Sequence, residues 1–410
     1  MSLTILHTGD LHFTDNNKNG LLGDTIMCTH HLLGIAKDVT PDVIVIAGDV
    51  YDEAVVYGGP ASIAASEFIL ACAEIAPVLI IRGTTSHDAP GSVDLLEKLR
   101  GKFPIYATDK PVQVGLVANR FTTLIDGTRP KVVFSCFPTI TKANVIAANI
   151  EKDPLSSTRE TSALVLDMFQ GWNSTNTLMR EAGIPTIFVG HCTITGSETS
   201  TGQKMTGHDL DISTGDLKLV GCDAYLLGHI HKQQSWGTVF YCGSITRLNH
   251  GETEAKGFYI HDIHNGVVES RFYETPARTM RTMRANGLPT TDVVADVEQG
   301  ELVRIVYEIA EEDLHKVDEE AIRAAALARG AADVKIEKVI IPQIRVRAEG
   351  ISRMATQEEK LIRWAETTNT EITKEIAEKL ALLEAHEVED VLRQEYAAME
   401  ENYATDSAAA

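Results

Sequence analysis

Positive charge is what this chain lacks most. Its 410 residues carry 37 Lys and Arg against 58 Asp and Glu, a formal net charge of −21. Such a chain repels a polyanion, so bulk electrostatic binding of nucleic acid is excluded. Contact with DNA would need local devices, such as metal ions or small basic patches. The sequence also has no run of about 18 apolar residues, the length a membrane-spanning helix requires, so no membrane partner is expected. Its start, MSLTILHTGDLHF, has no basic segment and meets a carboxylate by Asp10, so a signal peptide is not expected either. The six cysteines, Cys28, Cys72, Cys136, Cys192, Cys222 and Cys242, include no C-x-x-C pair. Most sit in apolar runs and read as reduced, small hydrophobes. A cytoplasmic setting follows, that of a host if the chain is virus-encoded.

What is present is a packed protein. Hydrophobic residues make up 44% and charged residues 23%, and the length implies two or three domains. Residues 1–275 alternate short β-rich runs with helical stretches. Strands are expected at Thr4–Thr8, Val43–Ala47, Val78–Ile81, Lys131–Ser135, Thr186–Val189, Ala224–Leu227 and Thr238–Cys242. Helices are expected at Thr25–Lys37 and Ser62–Ala76, giving an α/β sandwich. Phe258–Phe272 reads as two strands joined by a turn at Asn265–Gly266. From Leu302 to Arg347 the order strand, helix (Asp318–Arg329), strand makes a small α+β layer, too short to hold a core alone. Ile351–Tyr403 is helical throughout. Ile376, Leu380 and Leu383 fall on one stripe; Val388, Val391, Leu392, Tyr396 and Met399 make a second. These stripes either pack on each other and the body or dock a partner. The excess charge is uneven, about two-thirds of it lying beyond residue 290. Arg271, Arg278, Arg281 and Arg284 form a basic cluster between the first two units.

The residues that carry chemistry lie just after the expected strands. Asp10 and His12 follow the first as an i, i+2 pair, which points both side chains the same way. Gly48-Asp49 follows the second, and His87-Asp88 lies a few residues beyond the third. Gly190-His191 and Gly228-His229-Ile230-His231 follow two later strands. Strand ends gather along one sheet edge, where active sites are commonly built. Carboxylates mixed with imidazoles suit manganese, iron or zinc. Asp10, His12, Asp49, His191, His229 and His231 are too many ligands for one ion with an open position. They suit two ions sharing a carboxylate, the usual arrangement for phosphoester hydrolysis. His30, His31 and His208 follow no strand end and read as ordinary.

The order D-x-H, G-D, H-D, G-H, G-H-x-H resembles the calcineurin-like metallophosphoesterases. A narrower resemblance lies in Tyr241-Cys242-Gly243-Ser244-Ile245, Arg247-Leu248, Gly251-Glu252 and Lys256-Gly257-Phe258. These are similar to the stretch after the last metal motif in the SbcD family, whose eukaryotic and archaeal relatives are the meiotic-recombination-eleven nucleases. The resemblance implies a four-layer αββα metallophosphoesterase sandwich over 1–285 and a DNA-capping α+β domain over 286–348. It further implies a helical ATPase-binding segment over 349–404 and a disordered tail over 405–410.

The same resemblance implies a double-strand exonuclease and single-strand endonuclease that uses two divalent ions, expected to be manganese. Its implied partners are DNA, an SbcC-type SMC-like ATPase and a second copy of the chain. Asp10, His12, Asp49 and His231 would hold one ion; Asp49, His191 and His229 would hold the other. His87 would act on the phosphate or the leaving oxygen, with Asp88 orienting it. Arg278, Arg281 and Arg284 would touch phosphates, and Ile376, Leu380 and Leu383 would dock the ATPase. One departure stands out. The family's third motif has an Asn ligand before the His, whereas this chain reads Gly83-Thr84-Thr85-Ser86-His87-Asp88, with two residues inserted and Ser86 preceding the His. A hydroxyl is a poorer oxygen donor than an amide carbonyl, so the second ion is expected to bind more weakly or find a ligand elsewhere. The competing readings are a phosphodiesterase acting on nucleotides or phosphoproteins, and a catalytically weakened scaffold for the ATPase.

Overall fold

The centre of the molecule is made by short apolar runs with no polar alternation. Val43–Ile46 and Val78–Ile81 are buried at every position, as strands covered on both faces must be. The computed structural model describes residues 2–16, 21–123, 129–140, 154–200, 212–342 and 351–385. In chain order the strands are β1 (Ser2–Thr8), β2 (Val43–Ile46), β3 (Val78–Ile81), β4 (Ile105–Thr108), β5 (Val112–Val117), β6 (Arg120–Thr123), β7 (Val132–Phe137), β8 (Thr186–His191), β9 (Ala224–Gly228), β10 (Gln234–Trp236), β11 (Val239–Tyr241), β12 (Gly257–His264), β13 (Val267–Glu274), β14 (Met280–Asn286), β15 (Leu302–Ala310) and β16 (Asp333–Ile341). The α-helices are α1 (Leu21–Val39), α2 (Pro60–Ala73), α3 (Ser92–Glu97), α4 (Pro154–Glu181), α5 (Thr214–Lys218), α6 (Glu319–Ala328), α7 (Gln357–Thr368) and α8 (Lys374–Ala385).

Two sheets dominate. The first has the order β13-β12-β1-β2-β3-β4, the second β10-β11-β9-β8-β7-β5-β6. Strands β1 to β4 run parallel, as do β7, β8, β9 and β11. Leu3 and Ile5 of β1 join Val43, Val45, Leu79 and Ile81 against Phe134, Ile187, Val189 and Leu226 of the second sheet. Leu6, Ile44, Ile46 and Ile80 face the other way, onto Cys28, Leu32, Phe68 and Ile69 of α1 and α2. On the outer face of the second sheet, Phe169 of α4 packs with Phe137, Phe188 and Tyr225. The layering is therefore helix, sheet, sheet, helix, as the resemblance implied. The turn at Asn265–Gly266 closes the β12–β13 hairpin, both residues having positive φ, as a two-residue hairpin turn demands.

The third sheet has the order β14-β15-β16, with β14 parallel to β15. Met283, Val303, Ile305 and Val334 pack with Ile322 and Ala326 of α6 into a separate small core. Among the described residues, those up to 309 and those from 315 to 339 form one compact unit, and those from 310 to 314 and from 340 on form the other. In the second unit, α7 opens on a reciprocal capping pair between Thr356 and Glu359 and ends at Asn369 with φ 51°. On α8, Ile376 and Leu383 are exposed and Leu380 is half-buried. The second stripe expected beyond Val388, the 405–410 tail and His208 lie outside the described residues. Among the described residues no helix is long and apolar enough to cross a membrane. Five of the six cysteines are buried, each sitting in one of the three cores around the two large sheets.

Candidate metal centre

The loops leaving β1 and β2 continue side by side past the sheet. Asp10 N donates to the Gly48 carbonyl at 3.0 Å and Leu11 N to the Asp49 carbonyl at 2.8 Å. This carries Asp10, His12 and Asp49 to the same edge. The edge is held in sparsely populated backbone conformations. Asp10, His12, Asp49 and His229 have φ of 47°, 50°, 50° and 94°. Side chains with a Cβ persist there only when the surroundings over-determine them, and such positions cluster at functional sites. The second sheet delivers His191 from the end of β8 and His229 just after β9. Close approach of the loops depends on two glycines. A Cβ on Gly48 would collide with His191 Nδ1, and one on Gly83 would collide with Asp49 Oδ1.

All six expected ligands converge. Asp10, His12 and His231 form one group with ligand atoms within 4.8 Å of one another; Asp49, His191 and His229 form a second. Asp49 Oδ2 lies 3.2 Å from His191 Nε2 and 3.9 Å from His12 Nε2, between the two groups. The Nε2 atoms of His12 and His231 face each other at 3.1 Å. Asp10, His12, Asp49 and His191 are buried.

The ring orientations leave the right nitrogens inward. His191 Nδ1 lies 2.7 Å from the Ala47 carbonyl, so it carries a hydrogen and turns Nε2 toward Asp49. His12 Nδ1 lies 3.0 Å from Asp52 Oδ1, and His231 Nδ1 lies 3.2 Å from Glu252 Oε1. Burial alone would push His191 down; the adjacent Asp49 carboxylate outweighs it and lifts the imidazole to about 9. Burial would likewise raise Asp49, yet His191, with His12 and His87, holds it well below the usual carboxylate range. A buried carboxylate that holds positive charge this firmly, beside imidazoles whose Nε2 atoms turn inward, fits divalent transition-metal ions.

Three expectations about neighbouring residues are corrected. The hydroxyl beside the second group belongs to Thr84, not Ser86. Thr84 Oγ1 lies 3.3 Å from His191 Nε2 and 3.4 Å from Asp49 Oδ2, and its N–H donates to Asp49 Oδ1 at 2.6 Å. The His87 and Asp88 amides both fold back onto the Thr84 carbonyl, which leaves Ser86 exposed in the turn between them. Asp88 does not orient His87. Its fully buried carboxylate accepts from Gly83 N at 2.8 Å and Tyr51 N at 3.2 Å, and burial with the nearby Asp49 charge raises it to about 6. His87 Nδ1 instead meets the backbone carbonyl of Asp52 at 2.5 Å, and its ring stands edge-on to His12. The basic cluster is largely spent within the chain. Arg278 pairs with Asp24 at 2.6 Å, and Arg281 pairs with Glu301 at 2.9 Å and donates to the Asp296 carbonyl; Arg284 is exposed.

Sequence reasoning missed Asp52 and the role of Glu252. Asp52 lies three residues after Asp49 on the same loop, a spacing that could have drawn attention to it. Glu252 is buried and also accepts from Lys256 Nζ at 2.9 Å, Asn249 Nδ2 at 2.7 Å and Leu248 N at 3.1 Å. Burial raises its carboxyl, but His231 and Lys256 outweigh that and bring it down to about 2. Lys256, itself buried, donates to the His231 carbonyl at 2.9 Å, so ring and backbone of His231 are gripped together.

Comparison with known proteins follows the same outline. Residues 3–233 match the family described as calcineurin-like phosphoesterase. The chain is 27% identical over 302 residues to the SbcD component of the SbcCD nuclease of Staphylococcus saprophyticus subsp. saprophyticus, covering 69% of this chain and 72% of that one. Among solved structures it is similar to a dimetal phosphatase from Danio rerio, with a TM-score of 0.39 and 11% identity, covering 67% of this chain and 99% of that one.

Proposed function

This chain belongs to the calcineurin-like phosphoesterase family, and from that premise we propose that it is a metal-dependent DNA nuclease, the nuclease component of an SbcCD-type end-processing complex. The step from phosphoesterase to nuclease is carried by the similarity to the SbcD component of the staphylococcal SbcCD nuclease. That similarity spans 302 residues, more than the stretch matching the family as a whole. The layout supports it too, since a small sheet and then a helical segment follow the sandwich.

In this reading Asp10, His12, Asp49 and His231 hold one divalent ion, and Asp49, His191 and His229 hold the other. Manganese is the metal we favour. When bound, such a pair offsets phosphate charge and acidifies an attacking water. The protein's part is placement. Asp49 sits where both groups meet, so it fixes their separation. His87, its Nδ1 donating to the Asp52 carbonyl, presents Nε2 to the leaving oxygen, and as the imidazolium it donates a hydrogen bond or the proton from that nitrogen. Asp52 and Glu252 act through His12 and His231 as positioning residues. Asp88 contributes by fixing the loop that bears Thr84 and His87. Of the three arginines first considered for phosphate contact, we retain exposed Arg284.

The domain assignments 1–285, 286–348 and 349–404, for nuclease, capping and partner-binding roles, belong to the same proposal. So do the homodimer and an SbcC-type ATPase docked on the face of Ile376, Leu380 and Leu383. A truncation at residue 350 should lose that ATPase. The deciding assay incubates the pure protein and manganese with labelled duplex, hairpin and single-stranded DNA beside a chromogenic phosphodiester. Cleavage at DNA ends is expected. Cleavage of the small ester alone would point to a different phosphodiesterase, and no cleavage with or without the ATPase would point to a scaffold.

A further inference from the structure

We propose that Arg247 is a positioning residue for the metal centre, and that through it the chain leaving the sandwich, residues 275–278, holds Glu252 against His231. This rests on the reading of His231 as an ion ligand, but not on DNA being the substrate.

The need for such a residue follows from the backbone. Residues 242–256, between β11 and β12, form no helix or strand. A loop of that length has carbonyls that no ladder serves, and they must find donors elsewhere. Arg247 meets several of them at once. Its Nε donates to the Glu252 carbonyl at 3.0 Å and its Nη2 to the Glu254 carbonyl at 2.9 Å. Its Nη1 donates to the carbonyls of Ala277 at 2.8 Å and Arg278 at 3.4 Å. A rigid planar fork can span two segments in this way, whereas a lysine ammonium acts as a single point.

One side of the fork closes the turn that carries the carboxylate. The Leu248 amide and Asn249 Nδ2 donate to the Glu252 carboxylate at 3.1 and 2.7 Å, and the Glu252 amide donates to the Asn249 carbonyl at 3.1 Å. That carboxylate lies 3.2 Å from His231 Nδ1. The other side of the fork reaches the linker. Thr275 adds two bonds there, its N–H to the Lys256 carbonyl at 2.8 Å and its Oγ1 to the Ile245 carbonyl at 2.7 Å. Both ends of the loop meet the centre directly. Ser244 N and Lys256 Nζ donate to the His231 carbonyl at 3.2 and 2.9 Å, and Ile245 N donates to the Asp10 carbonyl at 3.4 Å. The loop is thus bonded to the linker on one side and to Asp10 and His231 on the other. Strand β14 begins at Met280, just past Arg278. Whatever displaces the third sheet pulls on the linker, and Arg247 passes that pull to Glu252 and His231.

The test is manganese binding by the metal-stripped full-length protein, read by electron paramagnetic resonance and calorimetry, with amide hydrogen exchange followed in parallel. Arg247→Ala should weaken manganese binding about tenfold, the scale of a lost partner behind a ligand, and Arg247→Lys should restore little of it. Glu252→Gln should weaken it by a similar factor. The Arg247→Ala/Glu252→Gln double variant should lose no more than Glu252→Gln alone, because the arginine acts through the carboxylate. Asn176→Ala is the comparison for mere destabilisation. It breaks a buried network in which Asn176 of α4 donates to Ser135 Oγ at 3.2 Å and the Val220 carbonyl at 2.8 Å, and it should leave manganese affinity unchanged. Reciprocity of coupled sites requires that manganese in turn slow amide exchange over 275–278 in wild type and not in Arg247→Ala. Wild-type affinity in Arg247→Ala, additive losses in the double variant, or exchange over 275–278 indifferent to manganese would each overturn the proposal. Should Arg247→Ala not fold, Arg247→Lys and the exchange measurement on wild type decide it. No manganese binding by wild type would sink the reading of His231 as a ligand as well. The expected pattern in a protein inactive on DNA would leave the proposal standing and remove only the nuclease.

Discussion

The backbone N–H of His229 donates to both carboxylate oxygens of Asp10, at 2.9 and 3.0 Å. The two residues are 219 positions apart in sequence, on different sheets. His229 holds a φ of 94°, a conformation that needs an external restraint. Asp10 thus has two tasks: it is a candidate ion ligand, and it pins the loop that aims a ligand of the other group. Asp10→Ala should therefore abolish manganese-dependent cleavage and also cost about 1–3 kcal/mol of stability from the unsatisfied amide. Paired activity and urea-unfolding measurements check this. Loss of activity with unchanged metal-free stability would leave the pinning role unsupported.

In the proposed mechanism His87 acts on substrate, although its ring also lies within ligand distance of His12 and Asp52. We expect His87→Ala to keep both manganese affinities while turnover falls about 10²–10⁴-fold. Calorimetry and single-turnover cleavage measure the two effects separately. A rate equal to wild type would remove His87 from the mechanism.

Asp88 is a structural anchor. Its buried carboxylate satisfies the amides of Gly83 and Tyr51, which belong to two different loops at the site. Asp88→Ala leaves both donors without an acceptor and should destabilise the protein by about 2–4 kcal/mol. The urea midpoint reads this directly. A midpoint within error of wild type would show that neither bond matters.

Acid should destabilise the protein through a buried pair that is not among the candidate ligands. His7 and His261 meet inside the sandwich, Nδ1 to Nε2 at 3.3 Å, walled by Phe240 and Tyr259, with Ser270 on His261 Nδ1. Burial holds His7 neutral down to about 3 and keeps His261 far below its usual value. The unfolded chain binds these protons near pH 6.5, so this stability is complete above that pH and is lost as pH falls toward 3. Between about pH 7.5 and 5.0 the loss is about 2 kcal/mol for each histidine. Urea unfolding with EDTA present, so that metal release does not contribute, should show it, and a His7→Leu/His261→Leu protein should lose less over the same interval. An equal loss in both proteins would place the acid sensitivity elsewhere.

Much of this was legible in the sequence because ligands at strand ends leave a regular trace. An apolar run, a turn and a carboxylate or imidazole recur five times, and the six candidate ligands among the residues so marked come together in two groups. What was not legible depends on direction rather than position. Asp88 is the sequence neighbour of His87, yet its side chain turns back to Gly83. Thr84 outranks Ser86 because the inserted residues form a turn that carries Ser86 outward. Arg278 and Arg281 look like a basic patch until the fold brings Asp24 and Glu301 to them. Strand β14, with arginines among its residues, reads as a linker until its parallel pairing with β15 is known. Helix α4 escaped notice because its Asn, Ser and Thr content hides the apolar face that holds Phe169.

The most direct test of the central claim uses Asp49, whose carboxylate lies between the two groups of candidate ligands. Cleavage of end-labelled duplex DNA should be measured for wild type and Asp49→Ala, each with manganese and with EDTA. The account predicts manganese-dependent degradation from the ends by wild type, none with EDTA, and none by Asp49→Ala under either condition while its circular dichroism spectrum stays native. Cleavage by Asp49→Ala at the wild-type rate would contradict it.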